Sequence, residues 1–169
     1  NLPNCYMIGI DTFLDDINLT YLNIPKLVLN TSNGNELHLQ VYNLYSIDLP
    51  LLTYCYRTLF TIGWGSKCLN LSKVNLPVFV KNLSACNFFY GSFPALNELS
   101  IGNKTYVVPE FYNVSVTSSF INDFTNNSGI INVDAAMYDK WISASGWSSL
   151  SSFFSVTGDP TVPMLSIDE

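Results

Sequence analysis

The sequence predicts an α+β fold, a single domain in which a mostly antiparallel β-sheet packs against a few helices. Apolar and polar residues alternate in the first half, whereas apolar residues recur at three- and four-residue steps farther on. A chain of 169 residues is long enough for one well-packed domain, and we expect no internal repeat or linker to divide it. We therefore predict one domain over residues 1–156, followed by an extended C-terminal tail over residues 157–169.

The first predicted elements are a β-hairpin and a helix. Leu27 to Asn43 alternates around Asn33-Gly34, a dipeptide typical of tight hairpin turns. From Asp48 the period changes, and the apolar residues at 51, 55, 59 and 62 share one helical face. Asp48 would cap this helix, Pro50 would lie in its first turn and Gly63 would end it.

Further strands are predicted in the middle of the chain. Val74–Val80 and Phe88–Tyr90 have strand character, with Pro77 favouring a sheet edge for the first. Lys104–Val108 and Phe111–Val116 form a second predicted hairpin.

The C-terminal third has helical spacing. A short helix is predicted from Ser118 or Ser119 through Phe124. A second begins at Asp134, with Met137, Trp141 and Ala144 on one face, and Gly146 interrupts it before Trp147, Leu150 and Phe154.

Composition excludes several classes of protein. Hydrophobic residues make up 48%, which excludes a disordered chain. Charged residues make up only 12%, about half the usual share of a soluble domain. Seven Lys and Arg against a net charge of -6 cannot build a basic surface, so nucleic acid is not an expected partner. Pro50 and Arg57 interrupt the most apolar stretch, so no direct membrane span is predicted either.

Glycosylation sequons and cysteines indicate an oxidising, extracellular setting. Glycans on Asn-x-Ser/Thr triplets would solubilise a surface so poor in charge. The seven candidate acceptors are Asn18, Asn30, Asn70, Asn82, Asn103, Asn113 and Asn126. The cysteines are Cys5, Cys55, Cys68 and Cys86, and two disulfides are expected, with three connectivities open. Sequential pairing, Cys5–Cys55 and Cys68–Cys86, is favoured.

No catalytic or metal site is predicted. His38 is the single histidine, and it is expected on the polar face of a strand. The cysteine spacing does not fit a structural zinc site, and the glycines around Trp64 lack the spacing of a phosphate-binding loop. Asp11, Asp15 and Asp134 are the carboxylates a hydrolase would have to use, but surface or capping roles are expected for them. We predict no enzyme activity and no cofactor.

Aromatic residues in loops predict a binding surface instead. Three Trp, ten Tyr and eleven Phe are more than a core of this size needs. Trp64, Phe89, Tyr90 and Phe93 lie beside Gly, Ser or Pro, where aromatic side chains are typical interface anchors.

The segment from Phe13 to Cys55 contains a succession of short motifs. An aromatic and acidic stretch leads into the sequon at Asn18 and then to Pro25. A turn and an alternating strand follow over Asn30–Asn43 and lead to Ser46-Ile47 before the cysteine. This succession resembles the beginning of the arenavirus attachment subunit.

This resemblance implies a divergent arenavirus-like envelope glycoprotein subunit. Such a subunit would bind a host-cell receptor, protein or glycan, and associate non-covalently with a membrane-anchored fusion subunit in a trimeric spike. It would pass through the host secretory pathway to the cell surface and the virion membrane surface. The alternative from the residues themselves is a cellular adhesion or lectin-like extracellular module.

Overall fold

The computed structural model describes residues 2–5, 18–27, 43–55, 60–61, 69–82, 89–90, 93–109, 124, 126 and 128–158. Within them the strands are β1 (Tyr21–Asn23), β2 (Ser46–Asp48), β3 (Tyr54–Cys55), β4 (Phe60–Thr61), β5 (Lys73–Leu76), β6 (Lys81–Asn82), β7 (Phe89–Tyr90), β8 (Glu98–Ile101), β9 (Ile130–Asp134) and β10 (Phe154–Thr157). Helix α1 (Tyr138–Ser143) lies between two 3₁₀ helices, Ala135–Met137 and Ser148–Phe153.

The main sheet is parallel throughout, which corrects the antiparallel sheet predicted from the sequence. Its six strands stand in chain order, β1-β2-β5-β8-β9-β10, and each neighbouring pair is parallel. Two smaller parallel pairs, β3 with β6 and β4 with β7, join the intervening segments. Each strand therefore starts from the same end as its predecessor, as in a solenoid.

The strand register shows an internal repeat, which the sequence prediction missed. Leu22, Ile47, Val74 and Leu99 pair in succession and are 25, 27 and 25 residues apart. Around them a pattern of Leu-x-x-apolar-x-apolar begins at Leu19, Leu44, Leu71 and Leu96. The next two intervals, 32 residues to Ile131 and then 23 to Phe154, are less regular. Segments of unequal length and composition between the strands hide this period in the sequence.

The inward side chains of successive strands stack into one continuous core. In the regular repeats both inward positions of the strand region are at most 2% exposed. These residues are Leu22, Ile24, Ile47, Leu49, Val74, Leu76, Leu99 and Ile101. Burying each such side chain contributes about 1.5–3 kcal/mol, so the column stabilises every turn against its neighbours.

A proline turn follows each of the first three strand regions. In Ile24–Leu27, Leu49–Leu52 and Leu76–Phe79 the last N–H donates to the first carbonyl oxygen, at 3.1, 3.2 and 3.1 Å. Proline is the second residue in all three, where its fixed φ favours the turn. Pro77 therefore follows an interior strand and does not mark a sheet edge.

The helix predicted from Asp48 to Gly63 is wrong over the described residues. Asp48 ends β2, and the chain then forms β3 and β4. Leu51, expected on the buried helical face, is 48% exposed, whereas Leu52 is buried. The apolar spacing comes from a strand and a turn in succession, which by chance imitate helical steps.

The other strand predictions have mixed outcomes. The strand predicted at Phe88–Tyr90 is confirmed as β7, and the one at Val74–Val80 is shorter because β5 ends at the proline turn. Lys104–Val108 forms turns and bends with a single bridge at Thr105, not a hairpin strand. Phe111–Val116 and most of the hairpin at Leu27–Asn43 lie outside the described residues.

The C-terminal helical prediction is confirmed except at Phe154, which begins strand β10 and is not helical. The Asp134 carboxylate accepts a hydrogen bond from the Ala136 N–H at 2.9 Å and so caps the first 3₁₀ turn. Met137 and Trp141 are buried, Ala144 packs against the core, and Gly146 (φ 82°) interrupts the helix. Phe124 is also helical, as predicted, and Asn126 is helical too.

Candidate ligand-binding face

The outward side chains of the main sheet form two parallel columns. Because strand side chains alternate between faces, the residues beside the buried column point away from the core. The first column is Tyr21, Ser46, Lys73, Glu98 and Ile130. The second is Asn23, Asp48, Asn75, Ser100, Asn132 and Ser155. We call these two columns together the ladder face.

Amide groups link neighbouring strands along the second column. The Nδ2 of Asn75 donates to the Oδ1 of Asp48 at 2.7 Å, and the Nδ2 of Asn132 donates to the Oγ of Ser100 at 2.8 Å. At the β1 end, the Nδ2 of Asn23 donates to the Tyr21 hydroxyl at 3.1 Å, while its own Oδ1 is buried with no partner among the described residues. These bonds fix the side chains in place before any ligand binds.

The charges on the ladder face nearly cancel. Lys73 and Glu98 form an ion pair at 2.6 Å, with side chains 47% and 40% exposed. The hydrogen bond that the Lys73 ammonium donates to Glu98, followed by the negative charge of Glu98, raises the pKa of Lys73 above its usual value. The two columns contain three charged residues. Lys73 is the single cation, Glu98 pairs with it, and Asp48 is the single carboxylate that is not in an ion pair.

The ladder face is large and regular enough for an extended ligand. Strands lie about 4.8 Å apart, so the six-stranded sheet is about 24 Å across. Tyr21 is 45% exposed near one end of the columns and Ile130 is 45% exposed towards the other. The amides, hydroxyls and carboxylate of the second column can bind a ligand through hydrogen bonds. Within these columns, no hydroxyl is paired with a histidine or another general base that would make it a nucleophile.

Of the three hydrolase candidates, only Asp134 lies within the described residues. Asp134 is 9% exposed, and its carboxylate caps the 3₁₀ turn as the sequence predicts. Asp11, Asp15 and His38 lie outside the described residues. Within the described part of the chain, no three His, Cys, Asp or Glu side chains approach closely enough to hold a metal ion.

The seven predicted glycosylation sites differ in their surroundings. Asn18, Asn70 and Asn126 are exposed. Asn103 is only 8% exposed, and its sequon partner Thr105 is 1% exposed. This burial leaves little room for a glycan at Asn103, and glycosylation there stays a prediction. Asn82 lies in β6, and Asn30 and Asn113 lie outside the described residues.

One of the predicted aromatic contact residues is in the core. Phe93 is fully buried among the stacked side chains, which corrects its assignment to a contact surface. Phe89 and Tyr90 form β7, and Trp64 lies outside the described residues. A buried ring stabilises the fold but is out of reach of a receptor.

The cysteine pairing stays a prediction. Cys5 is half-buried against the core and Cys55 lies in β3. Cys68 and Cys86 lie outside the described residues.

The ladder face was missed by sequence reasoning, although a signal for it exists. In each regular repeat a polar residue stands between two buried apolar ones, as in Leu22-Asn23-Ile24 and Ile47-Asp48-Leu49. Aligning these triplets over the repeat period would have placed the polar residues in one column.

Comparison with known proteins adds no relative. No family model matches the chain, and neither a curated protein nor a solved structure is significantly similar to it. Among the described residues, no helix has the length and apolar character needed to cross a membrane.

Proposed function

We propose that this chain is an extracellular recognition module, adhesive or lectin-like, that binds its ligand on the ladder face. The observation that carries the proposal is the pair of outward columns, fixed in register on a stacked core. Repeat proteins typically use such extended surfaces for binding. The repeat length of 25–27 residues and the Leu-x-x-apolar-x-apolar pattern are also typical of leucine-rich repeats.

The sequons support an extracellular location. Asn18, Asn70 and Asn126 are exposed, as glycan acceptors have to be. None of them belongs to the two columns, so glycans attached there would leave the ladder residues themselves unmodified.

A second candidate is the viral attachment subunit, which the resemblance over Phe13–Cys55 favours. In that role the chain would bind a host-cell receptor and a membrane-anchored fusion subunit within a trimeric spike on the virion. However, the Leu19–Pro25 portion of the resemblance recurs within this chain at Leu44–Pro50 and Leu71–Pro77. The repeat explains those positions without a viral relative, so we place the recognition module first.

Binding to vertebrate cells tests the proposal. The tagged chain, secreted from insect or mammalian cells, is titrated on a cell panel with an untagged excess as competitor. We expect Asp48→Arg/Asn75→Arg to abolish saturable binding, because two long cations would cover the centre of the ladder face. The matched control, Asp139→Arg/Ser149→Arg, makes the same charge changes at exposed helical positions and should bind normally.

Equal binding by the two double variants would contradict the ladder face as the binding site. The candidates also differ in their partners. An attachment subunit should co-purify with a membrane-anchored fusion subunit, whereas an adhesion or lectin-like module should show homophilic or sugar-inhibited binding without one.

A further inference from the structure

The charge balance of the ladder face favours a neutral ligand. A polyanion would need several free cations, but Lys73 is the only cation in the two columns and it pairs with Glu98. A polycation would need several free carboxylates, but Asp48 alone stands outside an ion pair in these columns, and it already accepts a hydrogen bond from Asn75. The ladder face therefore offers little electrostatic attraction to strongly charged partners of either sign.

The polar groups of the second column suit a ligand rich in hydroxyl groups. Asn75 and Asn132 each use one amide N–H in the cross-strand bond, and a primary amide has a second N–H and a carbonyl oxygen to offer. The second carboxylate oxygen of Asp48 adds an acceptor beside Asn75. Adjacent hydroxyls on a sugar ring donate and accept together, which matches a surface that presents both functions side by side.

An aromatic ring stands where the column begins. Tyr21 is 45% exposed, and its hydroxyl accepts the hydrogen bond from Asn23. Tyr45, one residue before β2, is 53% exposed. A phenol ring presents an apolar face beside its polar hydroxyl, and the C–H face of a pyranose ring packs on such a surface.

Building on the proposed function, we infer that the ladder face binds a neutral linear oligosaccharide. The sugar chain crosses the strands, with one ring against Tyr21 and its hydroxyls bonded along Asp48, Asn75 and Asn132. Binding strengthens with chain length until the oligosaccharide spans the columns, about 24 Å. A protein ligand is the competing occupant.

Calorimetric titration with chito-oligosaccharides and cello-oligosaccharides of increasing length tests this inference. The protein is used as the full secreted chain with its own glycans trimmed enzymatically. We expect at least one series to bind, with Kd falling as the chain lengthens and then reaching a plateau. Acidic sialylated oligosaccharides should bind more weakly than neutral ones.

Two single variants and a control locate the sugar. Asn75→Ala removes an amide that meets the ligand and should raise Kd about tenfold, and Tyr21→Ala should do the same through loss of ring packing. Ser149→Ala, at an exposed helical position, should leave Kd unchanged. Circular dichroism of each variant separates lost contacts from lost folding.

The outcomes separate this inference from the proposed function. If cell binding depends on the ladder face but is removed by protease and not by glycosidase treatment of the cells, the ligand is a protein and the inference is wrong. The inference is equally wrong if no neutral oligosaccharide binds while ladder-dependent cell binding persists. If cell binding ignores the ladder variants altogether, the proposed function itself fails.

Discussion

Asn103 and the exposed residues Asn18, Asn70 and Asn126 have the same acceptor motif but different surroundings. Asn103 is packed in a turn beside Thr105, whose hydroxyl lies 3.0 Å from the carbonyl oxygen of Gly102 and 2.8 Å from that of Val107. The residue that the glycosylation enzyme must recognise is thus also tied into the fold. The sequon makes an asparagine a candidate for glycan attachment, whereas its burial decides whether a glycan can be attached in the folded protein.

Glycopeptide mass spectrometry of the secreted protein tests this difference. We expect glycan on Asn18, Asn70 and Asn126 and an unmodified Asn103, because a glycan there would have to displace packed side chains. Asn103→Gln should leave the mass of the glycosylated protein essentially unchanged, whereas Asn70→Gln should remove one glycan. Full occupancy of Asn103 would mean that this turn forms only after glycosylation or differs from the described one.

Phe93 provides a second test at the level of one side chain. Phe93→Ala removes a fully buried ring and should lower the free energy of unfolding by about 3–5 kcal/mol. Leu51→Ala, at a residue 48% exposed, should change it by less than about 0.5 kcal/mol. Urea denaturation measures both. A stable Phe93→Ala protein that no longer binds cells would restore Phe93 to the contact surface.

At the level of elements, Gly102 stands where the first three repeats have proline. Its φ is +61°, its N–H donates to the carbonyl oxygen of Leu76 at 2.9 Å, and a Cβ there would lie 2.7 Å from the carbonyl oxygen of Phe79. The fourth repeat therefore turns by a different route, which leads into the buried sequon of Asn103. Residues at the same position of the repeat can therefore have different backbone conformations.

Exchanging these residues measures that difference. Gly102→Pro should lower the free energy of unfolding by about 3 kcal/mol or more, since proline cannot adopt a positive φ and removes the N–H that bonds Leu76. Pro77→Gly, the reverse exchange one repeat earlier, should cost only about 1 kcal/mol through the entropy of the unfolded chain. Equal losses for the two variants would contradict the distinct geometry of the fourth turn.

Local signals predicted the helical elements around residues 134–143 well, although the same signals predicted a false helix after Asp48. Asp134 caps its turn, Met137 and Trp141 share a buried face and Gly146 interrupts, because capping and helical period act over a few residues. Strand direction has no local signal. The alternation around Leu22 or Ile47 is the same whether the neighbouring strand runs parallel or antiparallel.

The ladder face was missed for a related reason. Asp48 and Asn75 belong to one cross-strand pair, but they are 27 residues apart in the chain. Only the register of the repeat brings them together. The sequence contains that register as the recurrence of Leu-x-x-apolar-x-apolar, so aligning the chain with itself would have been more informative than reading each segment alone.

At the scale of the whole molecule, stacked repeats predict a graded stability. In a solenoid each turn contacts mainly its neighbours, so interior turns are buried on two sides and end turns on one. Val156 follows this rule: it occupies the same column as the buried Val133 but is 49% exposed, since no described strand stacks beyond β10. A domain with one central core would instead unfold as a single unit.

Native-state hydrogen exchange distinguishes these two behaviours. We expect the slowest amide exchange in β2, β5 and β8, and faster exchange in β10, because an end turn can open without breaking the interior stack. Val74→Ala, in the central strand β5, should speed exchange in β2 and β8 more than in β10, since it weakens the two interfaces that flank it. Uniform protection across all strands, with equal acceleration everywhere in this variant, would contradict the nearest-neighbour model. Graded protection would mean that β2, β5 and β8, which carry the centre of the ladder face, stay ordered while an end turn opens, so a ligand would meet a preformed surface.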